Sequence, residues 1–424
     1  MRVLENCEPK RVFYYFEEIC KIPHGSGNTK QISDYLVDFA KKHGFDYVQD
    51  EMNNVVIYKP ASKGYENAPT VILQGHMDMV CEKRPGVEHD FEKDGLNLSV
   101  RDGYISANGT TLGGDDGIAV AYGLALLDST DLPHPALEVV FTVDEETGLL
   151  GADGFDCSLL KGRRMINLDS EKEGCLWVSC AGGVAGNSYL PVRRVDASGR
   201  KVNVKVCGLV GGHSGAEIHK NRASANILMG QFLYELSHVC GYALKELEGG
   251  QQDNVITKEC EAVLLVLPEE ISQITSLAKK MQKDFRAEYT GTDDTITIQI
   301  TEAGDMDAQV LHPTSQEKVL FYLMNMPFGV KKMSGTIENL VETSCNPGIL
   351  KLYGDELFVQ TSIRSSVGTA KEAHSHKIQY LTEFLGGEYE TEGAYPAWEY
   401  RKASPLRDKM VEIYKNMYDK DLDV

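Results

Sequence analysis

Two stretches near the start of the chain carry apolar side chains at helical spacing. Apolar residues recur every three or four positions over residues 12–20 and again over 32–40, after which Gly44 ends the pattern. Short apolar runs rich in β-branched residues follow, and they predict buried strands at 55–58, 70–73 and 137–143, with a helix over 116–127. Because helices alternate with apolar strands, the pattern indicates an α/β sheet.

The hydrophobic pattern changes near residue 185, where apolar and polar positions begin to alternate. Val202, Val204 and Val206 show this alternation, and so do residues 295–300. Further elements are predicted as a helix at 223–236, a strand at 356–363, a helix at 370–385 and a strand near 388. We therefore expect three segments: a first domain at 1–184, an inserted α+β domain at 185–391 and a return to the first domain at 392–424.

Composition and charge exclude several classes of function. The chain has 424 residues, which favours more than one domain, and 42% hydrophobic residues without a membrane-spanning apolar run. The net charge of −20 disfavours nucleic acid and anionic membranes as partners. The ten cysteines include no Cys-x-x-Cys pair, so we expect most of them to be buried thiols and none to form a disulfide or a zinc ribbon. The first 20 residues do not have the pattern of a secretory signal, and we expect a cytoplasmic protein.

Four short segments carry metal-ligand chemistry, and three of them follow apolar runs of the kind found in buried strands, after Leu73, after Val143 and after Ile166. They are Gln74-Gly75-His76-Met77-Asp78, Gly113-Gly114-Asp115-Asp116-Gly117, Asp144-Glu145-Glu146-Thr147-Gly148 and Asn167-Leu168-Asp169-Ser170-Glu171. Ligands of open α/β sheets gather at the carboxyl ends of strands, so these side chains are expected to meet.

Each of these segments also has an ordinary structural interpretation. His76 and Asp78 could form a buried hydrogen-bonded pair, Asp115 and Asp116 a helix cap, and the two glutamates at 145 and 146 an exposed acidic turn. Adjacent carboxylates repel one another unless a cation neutralises one, and a free carboxylate can then take a proton from water. Taken together, the four segments favour a metal site over four separate coincidences.

Two further positions suggest substrate chemistry. Gly212-His213-Ser214-Gly215 resembles the serine-hydrolase elbow, but Ala216 replaces its closing glycine, and no P-loop lysine follows. His213 is compatible with a structural turn or a catalytic role. Arg364 follows a predicted strand, where it could bind a carboxylate with two hydrogen bonds or form a surface ion pair.

These segments together resemble the aminoacyl-histidine dipeptidases, also called cytosol non-specific or beta-alanyl-histidine dipeptidases, a family of di-zinc exopeptidases. Cys180-Ala181-Gly182-Gly183, residues 211–219, residues 341–344 and Gly393-Ala394-Tyr395-Pro396-Ala397-Trp398 extend the similarity along nearly the whole chain. The resemblance implies a zinc-exopeptidase-like catalytic domain, with a mixed sheet flanked by helices, and an inserted α+β lid of the dimerisation type. It implies hydrolysis of dipeptides of the Xaa-His kind, a small peptide as substrate and, as an open question, a homodimer.

The resemblance also implies residue roles. The metal ligands would be His76, Asp115 as the bridge, Glu146 and Asp169, with two zinc ions expected and manganese or cobalt as alternatives. Glu145 would be the general base and Asp78 the carboxylate that supports the site. In the lid, His213 would stabilise the oxyanion, and Asn254 and Arg364 would hold the substrate's backbone and free carboxylate.

The sequence departs from the family pattern in one respect. The family carries another metal-binding histidine in a His-Ala-Gly-Leu-Glu-Cys-Gly-like segment, and the sequence ends at Val424 before such a segment, while His374 and His376 match no ligand motif. We therefore expect a fragment or a shortened relative in which one metal ion is in doubt. Two other functions stay open: a catalytically silent metal-binding relative that acts in assembly, and an amidase or deacylase of N-acyl amino acids.

Overall fold

The computed structural model describes residues 2–170 and 172–424 and divides the chain into two compact units. The first unit comprises Met1–Leu176 and Pro405–Val424, and the second comprises Trp177–Ser404. Glu171, the last residue of the fourth segment quoted above, lies outside the described residues.

The first unit is built on a mixed five-stranded sheet. Its helices are α1 Lys10–Ile19, α2 Lys30–His43, α3 Gly114–Asp128 and α4 Leu150–Asp153. Its strands are β1 Asp46–Gln49, β2 Val55–Lys59, β3 Val71–His76, β4 Leu98–Arg101, β5 Tyr104–Ala107, β6 Leu137–Thr142 and β7 Arg164–Asn167. The strand order of the sheet is β1-β2-β6-β3-β7, while β4 and β5 form a separate hairpin. The predicted α/β fold with a mixed sheet is confirmed, including both amphipathic helices at the start of the chain.

Parallel pairing in the centre of this sheet brings three strand ends to one edge. β3 runs parallel to both β6 and β7, whereas β1 and β2 pair antiparallel. Strands β2 and β6 are almost wholly buried, and helices α1, α2 and α3 share their hydrophobic core. This packing holds the carboxyl ends of β3, β6 and β7 side by side.

The second unit is built on a large antiparallel sheet with helices in its core. Its strands are β8 Gly182–Pro191, β9 Arg194–Cys207, β10 Gly212–His213, β11 Tyr242–Gly249, β12 Val255–Ile256, β13 Cys260–Val266, β14 Thr297–Leu311, β15 Gly329–Met333, β16 Val341–Tyr353, β17 Glu356–Ser365 and β18 Glu388–Tyr395. Its helices are α5 Ala225–Ser237, α6 Ile271–Glu288, α7 Pro313–Asn325 and α8 Gly368–Phe384. The order of the main sheet is β14-β9-β13-β11-β16-β17-β8-β18, with β15 paired to β16.

The second unit extends beyond residues 185–391 at both ends because of one strand pair. β18 pairs with β8 through Tyr395 and Gly183, and an isolated bridge joins Cys180 to Trp398. The chain returns to the first unit with helix α9 Pro405–Tyr418. There Lys172 forms an ion pair of 2.7 Å with Asp423, and the backbone of Cys175 forms an isolated β-bridge with Asp423.

None of the helices in residues 2–170 and 172–424 has the length and apolar character that a membrane crossing requires.

Candidate metal centre

The candidate ligands lie at the edge formed by the ends of β3, β6 and β7. His76 is the last residue of β3, Glu145 and Glu146 follow β6, and Asp169 follows β7. Leu168 donates its backbone N–H to Gln74, which continues the pairing of β7 with β3 up to the site. Parallel pairing therefore brings together side chains that are far apart in the sequence. The amide of Asn167, for example, donates a hydrogen bond to the side-chain oxygen of Gln74, 93 residues earlier.

The imidazole of His76 is the buried centre of the cluster. Its Nε2 atom lies 3.0 Å from Oδ1 of Asp115 and 3.9 Å from both Oε2 of Glu145 and Oδ2 of Asp169. Only 1% of the His76 side chain is exposed, whereas 48% of the Asp115 side chain is exposed. One nitrogen thus faces several carboxylates at the boundary between the interior and solvent.

Asp78 fixes the orientation of this imidazole. Nδ1 of His76 lies 3.3 Å from Oδ1 of Asp78 and 3.1 Å from its backbone oxygen, so Nδ1 carries a proton and donates it. Asp78 also accepts hydrogen bonds from the hydroxyl of Ser26 at 2.8 Å and from the backbone N–H groups of Glu145 and Glu146 at 3.1 and 3.3 Å. A buried carboxylate that fixes a histidine tautomer is the usual support of a metal-binding histidine.

The two aspartates at the start of α3 occupy different environments. Both have non-helical backbone angles, with φ and ψ of −85° and 109° at Asp115 and −114° and 30° at Asp116. Asp115 is exposed beside Nε2 of His76, whereas Asp116 is 2% exposed and accepts the backbone N–H of His76 at 3.2 Å. A Cβ atom on Gly75 would lie only 2.6 Å from Oδ2 of Asp116, so glycine makes room for this carboxylate.

Electrostatics in the cluster favour binding of a cation. Burial alone would lower the pKa of His76, but the hydrogen bond to Asp78 and the charges of Asp78 and Asp116 raise it to about 10. Burial, with the nearby charge of Asp169, raises the pKa of Asp116 to about 8. Burial also raises the pKa of Glu145 and of Glu146, and neighbouring carboxylates add to both shifts. Negative charge in this cluster therefore exceeds what the protein itself neutralises.

The donor set fits a divalent metal ion. Two groups can each converge on one ion, namely His76 with Asp116 and Asp169, and His76 with Asp115 and Glu146; the ligand atoms of each group lie within 4.8 Å of one another. One imidazole nitrogen with carboxylate oxygens is a set that zinc, manganese and cobalt all accept. The residues described thus form a candidate metal-binding site with two groups that could each hold an ion.

Two residues of this site were not assigned a role from the sequence. Asp116 belongs to one ligand group, yet its neighbour Asp115 looks equivalent in sequence, and only backbone geometry separates them. Ser26 lies in a loop 52 residues before Asp78, and no local sequence pattern predicts the hydrogen bond between them.

The candidate substrate residues lie together in the second unit. Nδ1 of His213 accepts the backbone N–H groups of Gly215 and Ala216 at 3.2 and 3.0 Å, so the neutral ring carries its proton on Nε2. The backbone oxygen of Asn254 accepts the N–H of Ser214 at 2.8 Å. A Cβ atom on Gly215 would lie 2.9 Å from Cε1 of His213 and 3.3 Å from Nε of Arg364, so these three residues are neighbours.

The chain was compared with known proteins by sequence and by structure. It is 32% identical over 422 residues to the cytosol non-specific dipeptidase of Escherichia coli K12, an alignment that covers 99% of this chain and 87% of that protein. The chain belongs to the cytosol non-specific dipeptidase family. The resemblance inferred from the motifs is confirmed.

Solved structures agree with membership of the dipeptidase family. The aminoacylhistidine dipeptidase of Vibrio alginolyticus matches with a TM-score of 0.93 and 33% identity, covering 99% of this chain and 86% of that one. Aminopeptidase PepT from Bacillus cereus shares the fold at a TM-score of 0.50 and 16% identity, covering 96% of this chain and 82% of that one. Residues 204–293, within the second unit, match the model of the family described as Peptidase dimerisation domain.

Proposed function

We propose that this chain is a metal-dependent dipeptidase that hydrolyses unsubstituted dipeptides with broad specificity, including those of the Xaa-His kind. The observation that carries the proposal is the convergence of Asp115, Glu145 and Asp169 on Nε2 of His76, at 3.0 to 3.9 Å. The names of the relatives from E. coli and V. alginolyticus, a non-specific dipeptidase and an aminoacylhistidine dipeptidase, support this substrate class.

In this proposal His76, Asp115, Glu146 and Asp169 would hold two zinc ions, and Asp115 would serve as a ligand of both. Asp115 is preferred to Asp116 as the shared ligand because it lies 3.0 Å from Nε2 of His76, whereas Asp116 is engaged by a backbone N–H. A bound divalent cation supplies a Lewis acid that polarises the scissile carbonyl and lowers the pKa of water. Asp78 holds the imidazole so that Nε2 offers its lone pair to the cation.

Glu145 acts as the general base and then as the general acid. Burial raises the pKa of Glu145, and a raised pKa makes this carboxylate a better acceptor for a proton from water. Oε2 of Glu145 accepts a proton from the attacking water and returns it to the nitrogen of the leaving amine. The backbone N–H of Glu145 is held by Oδ1 of Asp78 at 3.1 Å, which keeps the loop in place during both transfers.

Residues of the second unit hold the substrate in this proposal. Nε2–H of His213 donates to the oxygen that becomes negative in the transition state, because its Nδ1 is already used as an acceptor. Arg364 binds the free carboxylate of the dipeptide, and Asn254 binds its polar backbone. The match to a peptidase dimerisation domain supports a homodimer, and the cytosolic name of the E. coli relative supports a cytoplasmic location.

The proposal is tested by hydrolysis assays after removal of metal with a chelator and reloading with zinc, manganese or cobalt. We expect the chelated protein to be inactive, the reloaded protein to cleave Ala-His, and Ala-His to be preferred over N-acetyl-histidine in competition. Preference for N-acetyl-histidine would instead identify an amidase. Bound metal without hydrolysis of either compound would identify a catalytically silent relative.

A further inference from the structure

Arg364 is held on one side and unpaired on another. It lies on β17, opposite Gly183 of β8, and its Nη1 donates to the hydroxyl of Tyr395 at 2.8 Å. Its Nε atom is buried and has no hydrogen-bond acceptor among the described residues. Within residues 2–170 and 172–424, no ion pair joins this guanidinium to a carboxylate. A buried unpaired N–H costs free energy unless a ligand satisfies it.

Tyr395 is itself fixed firmly in the sheet. It pairs with Gly183 in the β18–β8 ladder, and a Cβ atom on Gly183 would lie 2.5 Å from the Tyr395 hydroxyl oxygen. The amine of Lys371 donates to the backbone oxygens of both Tyr395 and Gly183. The phenol therefore lies against a glycine that leaves room for it, and its hydroxyl accepts a hydrogen bond from the guanidinium.

The guanidinium held by Tyr395 is next to the imidazole of His213. A Cβ atom on Gly215 would contact both side chains, at 3.3 Å from Nε of Arg364 and 2.9 Å from Cε1 of His213. A long arginine side chain loses rotamer entropy when a ligand immobilises it. A hydroxyl that already holds one nitrogen of the guanidinium reduces that loss and leaves the remaining N–H groups as donors to a carboxylate.

We propose that Tyr395 is the positioning residue of Arg364: its hydroxyl holds the guanidinium in the orientation that binds the free carboxylate of a dipeptide. This inference rests on the proposed function, and it extends that function by naming the residue that sets the preference for a free carboxyl terminus. Tyr395 does not touch the substrate in this account. Its effect passes through Arg364.

The test compares Ala-His with Ala-His amide, which lacks the carboxylate, on wild-type and Tyr395→Phe proteins loaded with zinc. The substitution removes the hydroxyl and keeps the ring over Gly183. We expect KM for Ala-His to rise about tenfold, as for loss of a hydrogen bond to a charged group, with kcat changed less than about twofold. Values for the amide should stay unchanged, because the amide makes little use of Arg364.

Tyr389→Phe is the matched control. Tyr389 lies on the same strand, covers Gly186 of β8 in the same manner and bonds its hydroxyl to Ser375 at 2.8 Å. It has the same chemistry in the ladder but no contact with Arg364, so its substitution should leave the acid-to-amide preference unchanged. Any general effect of removing a phenol hydroxyl from β18 should appear in both variants.

The outcomes separate the inference from the function on which it rests. A Tyr395→Phe protein that keeps the wild-type preference for Ala-His, while the wild type is active, overturns the inference alone. Equal losses with acid and amide also overturn it, because they indicate a structural effect. Calorimetric binding of the two compounds to the Glu145→Gln background gives the same comparison without turnover. If Ala-His neither binds nor is cleaved, both the proposed function and the inference fail.

Discussion

Nδ1 of His76 lies 3.3 Å from Oδ1 of Asp78, and both side chains are buried. This contact decides which ring nitrogen faces the carboxylates of Asp115, Glu145 and Asp169, because a neutral ring that donates from Nδ1 has its lone pair on Nε2. The same carboxylate accepts two backbone N–H groups from the loop that carries the glutamates. Asp78 therefore positions both the proposed metal ligand His76 and the proposed general base Glu145.

Replacing Asp78 by Asn should weaken metal binding. The amide can accept hydrogen bonds but carries no charge to stabilise the oriented imidazole, and loss of such support typically costs about 10- to 100-fold in metal affinity. Competition with a chromogenic chelator measures the change. Asp144→Asn is the control, because Asp144 accepts the backbone N–H of Gly27 in the same loop region and makes no hydrogen bond to the imidazole within residues 2–170 and 172–424. Equal affinities of Asp78→Asn and wild type would contradict the assignment.

Metal binding should release protons. The pKa of His76 in the metal-free site is raised to about 10, so its imidazole is protonated at neutral pH and must lose a proton to become a ligand. The pKa of Asp116 is raised to about 8, so its carboxyl group should lose a second proton when the positive charge of a nearby cation stabilises the carboxylate. Apparent metal affinity should therefore rise as pH increases from about 6 to about 9. Calorimetry in buffers of different ionisation enthalpy counts the protons, and an affinity independent of pH would contradict these shifts.

Gly75→Ala should destabilise the first unit and damage the site. The added methyl would lie 2.4 Å from Cβ of Ala119 and 2.6 Å from Oδ2 of Asp116, both firmly packed. Overpacking of this kind costs about 1–3 kcal/mol, and displacement of Asp116 should also reduce metal affinity. Thermal unfolding and metal titration measure the two effects. Gly335→Ala, where nothing lies within 4 Å, should change neither; a Gly75→Ala protein as stable as the wild type would show that the helix can move aside.

Asp293 should be essential to the loop that carries His213. Its carboxylate is fully buried and accepts the backbone N–H groups of Val210 and Ala223, at 2.6 and 2.8 Å, on either side of that loop. Asp293→Ala leaves both N–H groups buried without an acceptor, at a cost of about 2–5 kcal/mol. Asp293→Asn keeps one acceptor and should fall in between.

The thermal unfolding midpoint measures the effect of the Asp293 variants. Asp294→Ala is the matched control, since Asp294 is exposed and bonds only within its own turn. A midpoint for Asp293→Ala equal to that of Asp294→Ala would contradict a role in closing the loop.

The sequence allowed the catalytic sheet to be predicted because its signals are local. Strands β2 and β6 are apolar runs, and a parallel sheet places the residues that follow its strands at one edge, which located His76, Glu145 and Asp169. The different environments of Asp115 and Asp116 could not be predicted, since they depend on backbone angles at the start of α3. The contact of Tyr395 with Arg364 also lacked a local signal, because it depends on β18 pairing with a strand from the start of the second unit.

The most direct test of the account is to measure Ala-His hydrolysis and bound zinc on the same preparation of Glu145→Gln. Glutamine preserves the shape of the side chain but cannot accept and return the proton, while the ligands His76, Asp115, Glu146 and Asp169 are unchanged. We predict that turnover falls by at least about 100-fold and that the zinc content per chain stays at the wild-type value. Zinc lost in proportion to activity would make Glu145 a ligand, and turnover retained with zinc bound would show that another group moves the proton; either result would contradict the account.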